Sequence, residues 1–286
     1  MRCLPMLAAL GALLAVGCSS DADDSPTPSP PQPSSEACSG PGYAEEHDEQ
    51  RVDVVRATLV DQDGEPLADE LVQVCGLNVC VNDITDPDGD VSVQVMADIL
   101  LPAFKFGEGR VSARFAWILP NEGDVDLGVV RSVRLPPLED AVPLTPGSRV
   151  RSGGLTLELA ADATVKIDKL TFRDPAEHGL RAVRVPLESA PAVVREGPEL
   201  EIVFAATPVE TRFCPPAALS IDNHLGWPAG TDVEVWLHGV DIAEEWAPYG
   251  GWAQVSAARV SDDGERIETT EPGLPVLGVL GFRRAP

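Results

Sequence analysis

Apolar and polar residues alternate along this chain in short bursts, divided from one another by Gly, Pro and Asp. Val91, Val93 and Val95 alternate with Ser92 and Gln94, while Val111, Ala113, Phe115 and Trp117 stand opposite Ser112 and Arg114. The same period of two returns in Leu155, Leu157 and Leu159, in Val233, Val235 and Leu237, and in Ala253, Val255 and Ala257. Successive side chains of a strand point to opposite faces, so each burst predicts one buried and one wet face. Further strands are expected over 52–60, 71–74 and 79–81, and around Val165, Val183 and Ile202. Asp63-Gly64, Asp88-Gly89 and Ser261-Asp262-Asp263-Gly264 carry turn chemistry. No stretch keeps a helical period for more than a turn or two. The pattern therefore predicts an all-β chain of two β-sandwich domains, 45–138 and 139–286, with Pro136, Pro137, Pro143 and Pro146 at the crossover.

Composition agrees with that pattern. Of 286 residues 44% are hydrophobic, which is material for a sizeable core, and 25 Gly and 27 Pro favour short strands and many turns. The formal net charge of −25 matters more. Nucleic acid is bound by neutralising its phosphates with Lys and Arg, so it is not an expected partner. Anionic membrane surfaces would also repel the chain, and attachment to a membrane would have to come from lipid.

The N-terminus offers such a lipid. Met1-Arg2 begins with a positive charge, and residues 4–17 form an apolar run long enough for a signal peptide and too short to span a bilayer. The run ends Leu14-Ala15-Val16-Gly17-Cys18, which resembles the lipobox of bacterial lipoproteins, although Ala15 stands where that family most often has Leu. The resemblance implies cleavage after residue 17, a diacylglycerol on Cys18 and, with Ser19 next, an outer-membrane location in a Gram-negative envelope. Ala15-x-Gly17 also satisfies an ordinary secretory cleavage site, so that alternative stands. Residues 18–44 then form a tether, whose Pro/Ser-rich part, 19–37, has nothing to bury. At ~3.1 Å per residue it could hold the body up to ~60 Å from the lipid.

With Cys3 in the signal and Cys18 taken by lipid, Cys38, Cys75, Cys80 and Cys214 remain, enough for two disulfides in three pairings. Gly76-Leu77-Asn78-Val79 suits a four-residue hairpin loop, which would bring Cys75 face to face with Cys80 and leave Cys38 for Cys214. A Cys-x4-Cys zinc site is the rival, but no second ligand pair has zinc-like spacing.

Val60-Asp61-x-Asp63-Gly64-x-Pro66-Leu67-Ala68, Val72-x-Val74 and Thr85-Asp86-x-x-Gly89-x-Val91-x-Val93 together resemble the carboxypeptidase-regulatory-like family and its bacterial Ig-like relatives. The likeness spans about 50–96 and implies a transthyretin-like sandwich with a scaffold or adhesion role and no chemistry. Asp86-x-Asp88-Gly89-Asp90 could belong to a calcium loop, yet no Glu closes it, and Asp and Gly also simply make turns.

Four of the five tryptophans fall between residues 227 and 252. The strand period places Glu234, Trp236 and His238 together on a wet face, with Asp241, Glu244 and Glu245 in the next loop. Exposed rings beside carboxylates suit a sugar- or peptide-binding face, so Trp236, Trp246, Tyr249 and Trp252 are the candidate ligand contacts. The alternative is that these rings cap the sandwich ends. Motifs of catalysis are missing: there is no Gly-x-Ser-x-Gly, His-Glu-x-x-His or phosphate-cradling glycine loop, and Asp222-x-His224 with His238 is the one grouping that could serve a metal. No catalytic residue, resident metal or cofactor is expected. The reading is a lipid-anchored surface protein with a structural, adhesive or ligand-capture role. Its alternatives are a carbohydrate-binding module centred on 227–252 and, third, a metal-dependent hydrolase. Expected partners are the membrane, through the lipid, and a surface glycan or envelope protein.

Overall fold

The computed structural model describes residues 38–270 and 273–286; the run 1–17, Cys18 and the stretch 19–37 lie outside the described residues. In the first half the strands are β1 (Glu49–Val60), β2 (Leu71–Cys75), β3 (Cys80–Ile84), β4 (Asp90–Leu100), β5 (Ala103–Phe106), β6 (Phe115–Ile118) and β7 (Gly123–Arg131). The second half begins with β8 (Val142–Pro143), β9 (Arg149–Ser152), β10 (Leu155–Glu158), β11 (Thr164–Lys166) and β12 (Gly179–Arg184). One helical turn, α1 (Ala192–Arg195), precedes β13 (Ile202–Thr207) and β14 (Arg212–Asp222). The chain closes with β15 (Asp232–His238), β16 (Trp252–Val260), β17 (Arg266–Thr269), β18 (Leu274–Val276) and β19 (Val279–Arg284). The chain is nearly all β, as its periodicity predicts.

Two sheets face each other in the first half. One has the order β4-β1-β7, the other β3-β2-β5-β6. Their inner faces carry Val52, Val55, Leu59, Val93, Phe104, Phe106 and Phe115, which exclude water from a common core. Asp63-Gly64 and Asp88-Gly89 do make turns: both glycines have φ near +80°, and a Cβ on Gly89 would lie 2.3 Å from the Leu59 carbonyl oxygen. The Asp86 side chain accepts the amides of Asp88 and Asp90, each at 2.9 Å, which is turn chemistry.

The second half is one long sheet whose path runs β8-β12-β13-β19-β15-β16-β17-β14-β10-β9. The path curls until β9 returns beside β12, where the Ala182 amide donates to the Ser152 hydroxyl at 2.9 Å. Leu155, Leu157, Phe204, Leu219, Ile221, Val235, Leu280 and Phe282 fill the space inside. The core of the first half does not stop at residue 138. Val185, Ala190, Val193, Val194, Val203, Ala205 and Val279 from the second half are part of it.

Polar groups also cross between the halves. Arg181 is 1% exposed, and its guanidinium donates to the carbonyls of Arg110 (2.7 Å), Pro136 (2.9 Å) and Gly109 (2.9 Å). Both expected disulfides are present. Cys75 and Cys80 face each other across the β2–β3 hairpin with Cα atoms 4.0 Å apart, and Cys38 is joined to Cys214 in β14. After Cys38 the chain runs along the loop before β16: the amides of Gly42 and Tyr43 donate to the carbonyls of Glu245 and Glu244 at 3.1 and 2.8 Å.

The expected alternation over Val111, Ala113, Phe115 and Trp117 does not hold as one strand. Only 115–118 is strand; Val111 is exposed, and Ser112 and Ala113 are both buried in a loop. There the Ala113 amide donates to the Val133 carbonyl, and the Gly109 amide to the Ser112 carbonyl.

Candidate functional site

β6, β15 and β16 each bring one tryptophan to a common cleft of about 360 Å³, lined by Trp117, Trp236 and Trp252 with Ile118, Val193, Glu196, Gly197, Pro198, Gly250 and Gly251. Trp236 and Trp252 sit on neighbouring antiparallel strands, with Trp236 opposite Gln254 and His238 opposite Trp252. Trp117 arrives from the other half of the chain. All three rings are half-buried, so each keeps apolar surface open to the cleft.

Two of the rings, those of Trp236 and Trp252, are fixed in place. The Trp252 indole nitrogen donates to the Val193 carbonyl of α1 at 3.0 Å, and its ring lies 5.1 Å from that of His238, which lies 6.0 Å from Phe115. Gly197 allows this approach, because a Cβ there would stand 2.6 Å from the Trp252 indole nitrogen. The Trp236 nitrogen donates to Glu234 at 3.0 Å, and Glu234 also accepts from Arg283, whose guanidinium stacks 4.7 Å from the centroid of the Trp236 ring. Stacked guanidinium and ring leave little freedom for the indole to turn away. Glu196 is the one ionisable side chain among the lining residues, so the cleft is close to uncharged on a strongly acidic chain.

Only Trp236 and Trp252 of the four expected contact residues meet here. Tyr249 is 2% exposed, and its hydroxyl donates to the Cys75 carbonyl at 3.2 Å. That burial pushes its phenol pKa up and removes the ring from any ligand-facing surface. Trp246 packs at the edge of the second-half core and lines a different, narrow cavity. His238 is a further correction to the expected wet face. It is 2% exposed, because the four-stranded sheet of the first half lies over that end of β15. Its Nε2 accepts from the Ala116 amide at 3.1 Å, and its Nδ1 is 3.0 Å from the Gly251 carbonyl. With both nitrogens occupied, His238 offers nothing to a metal beside His224, which is exposed. Among the described residues no group of three or more His, Cys, Asp or Glu side chains is arranged to hold a metal ion.

The carboxylates expected beside the rings are engaged elsewhere. Glu244 is buried and accepts the Tyr249 amide at 2.8 Å, Glu245 pairs with Arg212, and Asp241 lies 3.4 Å from the same guanidinium. Trp117 escapes the sequence reading because it lies over a hundred residues from the Trp-rich segment, and its alternation suggests a buried face.

No protein-family model matches the chain, and no curated protein is similar to it. Among solved structures it is similar to a candidate carbohydrate binding protein from Bacteroides uniformis, at 6% identity and a TM-score of 0.23, over 82% of this chain and 96% of that one. So loose a superposition carries no ligand from that protein to this chain.

Proposed function

We propose that this chain is a lipid-anchored envelope protein that captures a neutral carbohydrate in the Trp117–Trp236–Trp252 cleft. The observation that supports it is the convergence of three indoles, two of them held by hydrogen bonds and ring contacts, from three strands in both halves, on a cleft with one ionisable side chain. A sugar ring presents flat C–H faces and a rim of hydroxyls. Indole faces match the first, and the Glu196 carboxylate among the lining residues offers an acceptor to the second. The volume of about 360 Å³ lies at the small end of ligand clefts, which suits one or two sugar units. Two disulfides suit an oxidising compartment, in keeping with export and with the lipobox resemblance of 14–18. The carboxypeptidase-regulatory-like resemblance over 50–96 fits the same role, as a scaffold presenting the cleft.

The test is a glycan array probed with the mature chain and with Trp117→Ala and Trp236→Ala variants of unchanged melting temperature. Retention of a neutral glycan by the parent, lost in both variants, supports the reading. Retention of none, or equal retention by the variants, overturns it. Metabolic labelling with palmitate tests the anchor separately: label on the parent and none on Cys18→Ser is expected, and label on both refutes it.

A further inference from the structure

Residues 25–35 read Ser-Pro-Thr-Pro-Ser-Pro-Pro-Gln-Pro-Ser-Ser, an uncharged stretch bounded by Asp24 and Glu36 on a chain of net charge −25. Pro28 and Pro31 stand three apart, as do Pro30 and Pro33. A polyproline II helix has three residues per turn, so each pair would present two rings on one face. Segments of this kind are bound in grooves lined by aromatic rings, because a preformed backbone loses little entropy on docking and prolyl C–H groups lie flat on an aromatic face.

The tryptophan cleft has the complementary surface. Trp117, Trp236 and Trp252 line it with Ile118, Val193 and Pro198, and its one ionisable side chain, Glu196, would repel an acidic segment but not an uncharged one. The indole nitrogens of Trp236 and Trp252 are engaged with Glu234 and Val193. That of Trp117 donates to no group among the described residues. A polyproline II segment makes no internal hydrogen bonds and turns its carbonyls outward, so one of them can accept the Trp117 N–H.

The chain enters the body beside this cleft. The amides of Gly40 and Gly42 donate to Glu245 at 3.2 and 3.1 Å, and that of Tyr43 to Glu244 at 2.8 Å. The Glu244 carboxylate in turn accepts the amide of Tyr249 at 2.8 Å, and Gly250 and Gly251, next in the chain, line the cleft. Glu245 and Gly250 are five residues apart, at most ~18 Å of extended chain. Pro31 precedes Cys38 by seven residues and Pro28 by ten, or up to ~24 and ~34 Å. That length takes the proline stretch from Cys38 to the cleft.

We propose that the stretch 25–35 docks in the Trp117–Trp236–Trp252 cleft of its own chain and competes there with the carbohydrate. The competition rests on the sugar-binding reading of the cleft; the docking does not. A tethered segment meets its site at an effective concentration on the order of 1 mM, so a contact with a Kd of only ~0.1 mM fills the cleft about nine-tenths of the time. A glycan then binds with an apparent affinity lowered about tenfold.

The indole N–H signals of the five tryptophans, recorded by NMR on the mature chain with Cys18→Ser to keep it in solution, test the docking. Pro28→Ala/Pro30→Ala/Pro31→Ala lies before Cys38 and leaves the described fold intact. In that variant the signals of Trp117, Trp236 and Trp252 are expected to move while those of Trp227 and Trp246 stay, and a synthetic 25–35 peptide should bring the moved signals back. A retained glycan should bind the variant about tenfold more tightly than the parent. Coincident signals in parent and variant overturn the docking. So does a separation that vanishes on dilution, which would put the tether of a second copy in the cleft. Separated signals with no glycan bound by either form support the docking and overturn the sugar reading. Separated signals with equal glycan affinity overturn the competition.

Discussion

The imidazole of His238 accepts a hydrogen bond from the amide of Ala116, 3.1 Å away and 122 residues earlier in the chain. The bond joins the last residue of β15 to the middle of β6, and it requires a neutral Nε2. Burial already favours that form and brings the His238 pKa down to about 4 from an ordinary 6.5. Since the unfolded chain binds this proton more tightly, His238 costs stability as pH falls from 6.5 towards 4, on the order of 3 kcal/mol across the window. Histidine resonances followed by NMR should show His238 still neutral at about pH 5. A midpoint close to 6.5 would rule this out.

Lys105 makes the opposite end of the pH range informative. Burial brings its folded pKa down to about 8 from the ordinary 10.5, so the unfolded chain holds the proton more tightly between them, and its share of stability grows as pH rises through that interval. Reductive methylation with carbon-13 should give side-chain signals from only three lysines, one of which titrates near 8. Glu210 holds that value up, and Glu210→Gln should move the same signal to lower pH. An unmoved signal would show that the two charges are not coupled.

Arg181 donates three hydrogen bonds to carbonyls of the first half and has no carboxylate within 4.0 Å. Removing it strands the Arg110 and Pro136 carbonyls in a buried seam, while the Gly109 carbonyl keeps the Thr207 hydroxyl at 2.8 Å. Arg181→Met is expected to cost about 3 kcal/mol or more in urea unfolding, and Arg181→Lys most of that, since one ammonium cannot span the three positions. A loss below about 1 kcal/mol would mean that water replaces the guanidinium freely.

The two disulfides should differ in worth. Cys38–Cys214 closes 176 residues and Cys75–Cys80 only 5, so constraint of the unfolded chain is worth about 5 against about 2 kcal/mol. Serine pairs replacing each disulfide, compared by thermal melting, should therefore rank with Cys38→Ser/Cys214→Ser the less stable. The reverse ranking would place the larger effect in the native hairpin.

Alternation made β4 and β15 legible, because each has one wet face. β10 and β16 depart from it: Thr156 is buried with Leu155 and Leu157, and a register shift opposite Val235/Trp236 leaves Ser256 buried and Ala257 exposed, the reverse of the expected face. Alternation could not reveal most of β19, which reads as a plain apolar run, and although it marked a strand around Ile202 it could not show that β13 is buried on both faces. Pro215 and Pro216 hid β14, although its ladder breaks there and resumes. The Cys75–Cys80 hairpin was readable because its loop is local. The tryptophan cleft was half readable: Trp236 and Trp252 lie near each other in sequence, while Trp117 joins them only through packing of β6 against the second half. Tyr249 and His238 were misplaced for the same reason, since strand period assigns a face but cannot tell whether another sheet will cover it.

The Cys38–Cys214 disulfide also decides where mechanical load would enter the body. Tension applied through residues before Cys38 passes to Cys214 in β14, a strand held by β10, β11, β17 and β18, and not to the free start of β1. A pull would then be shared among several ladders, where without the bond it would peel the Gly42 and Tyr43 amides from the loop before β16 and then unzip β1 from its first pair at Glu49. In that respect the bond works as a strain relief, like the clamp that keeps a cable from tearing out of its socket.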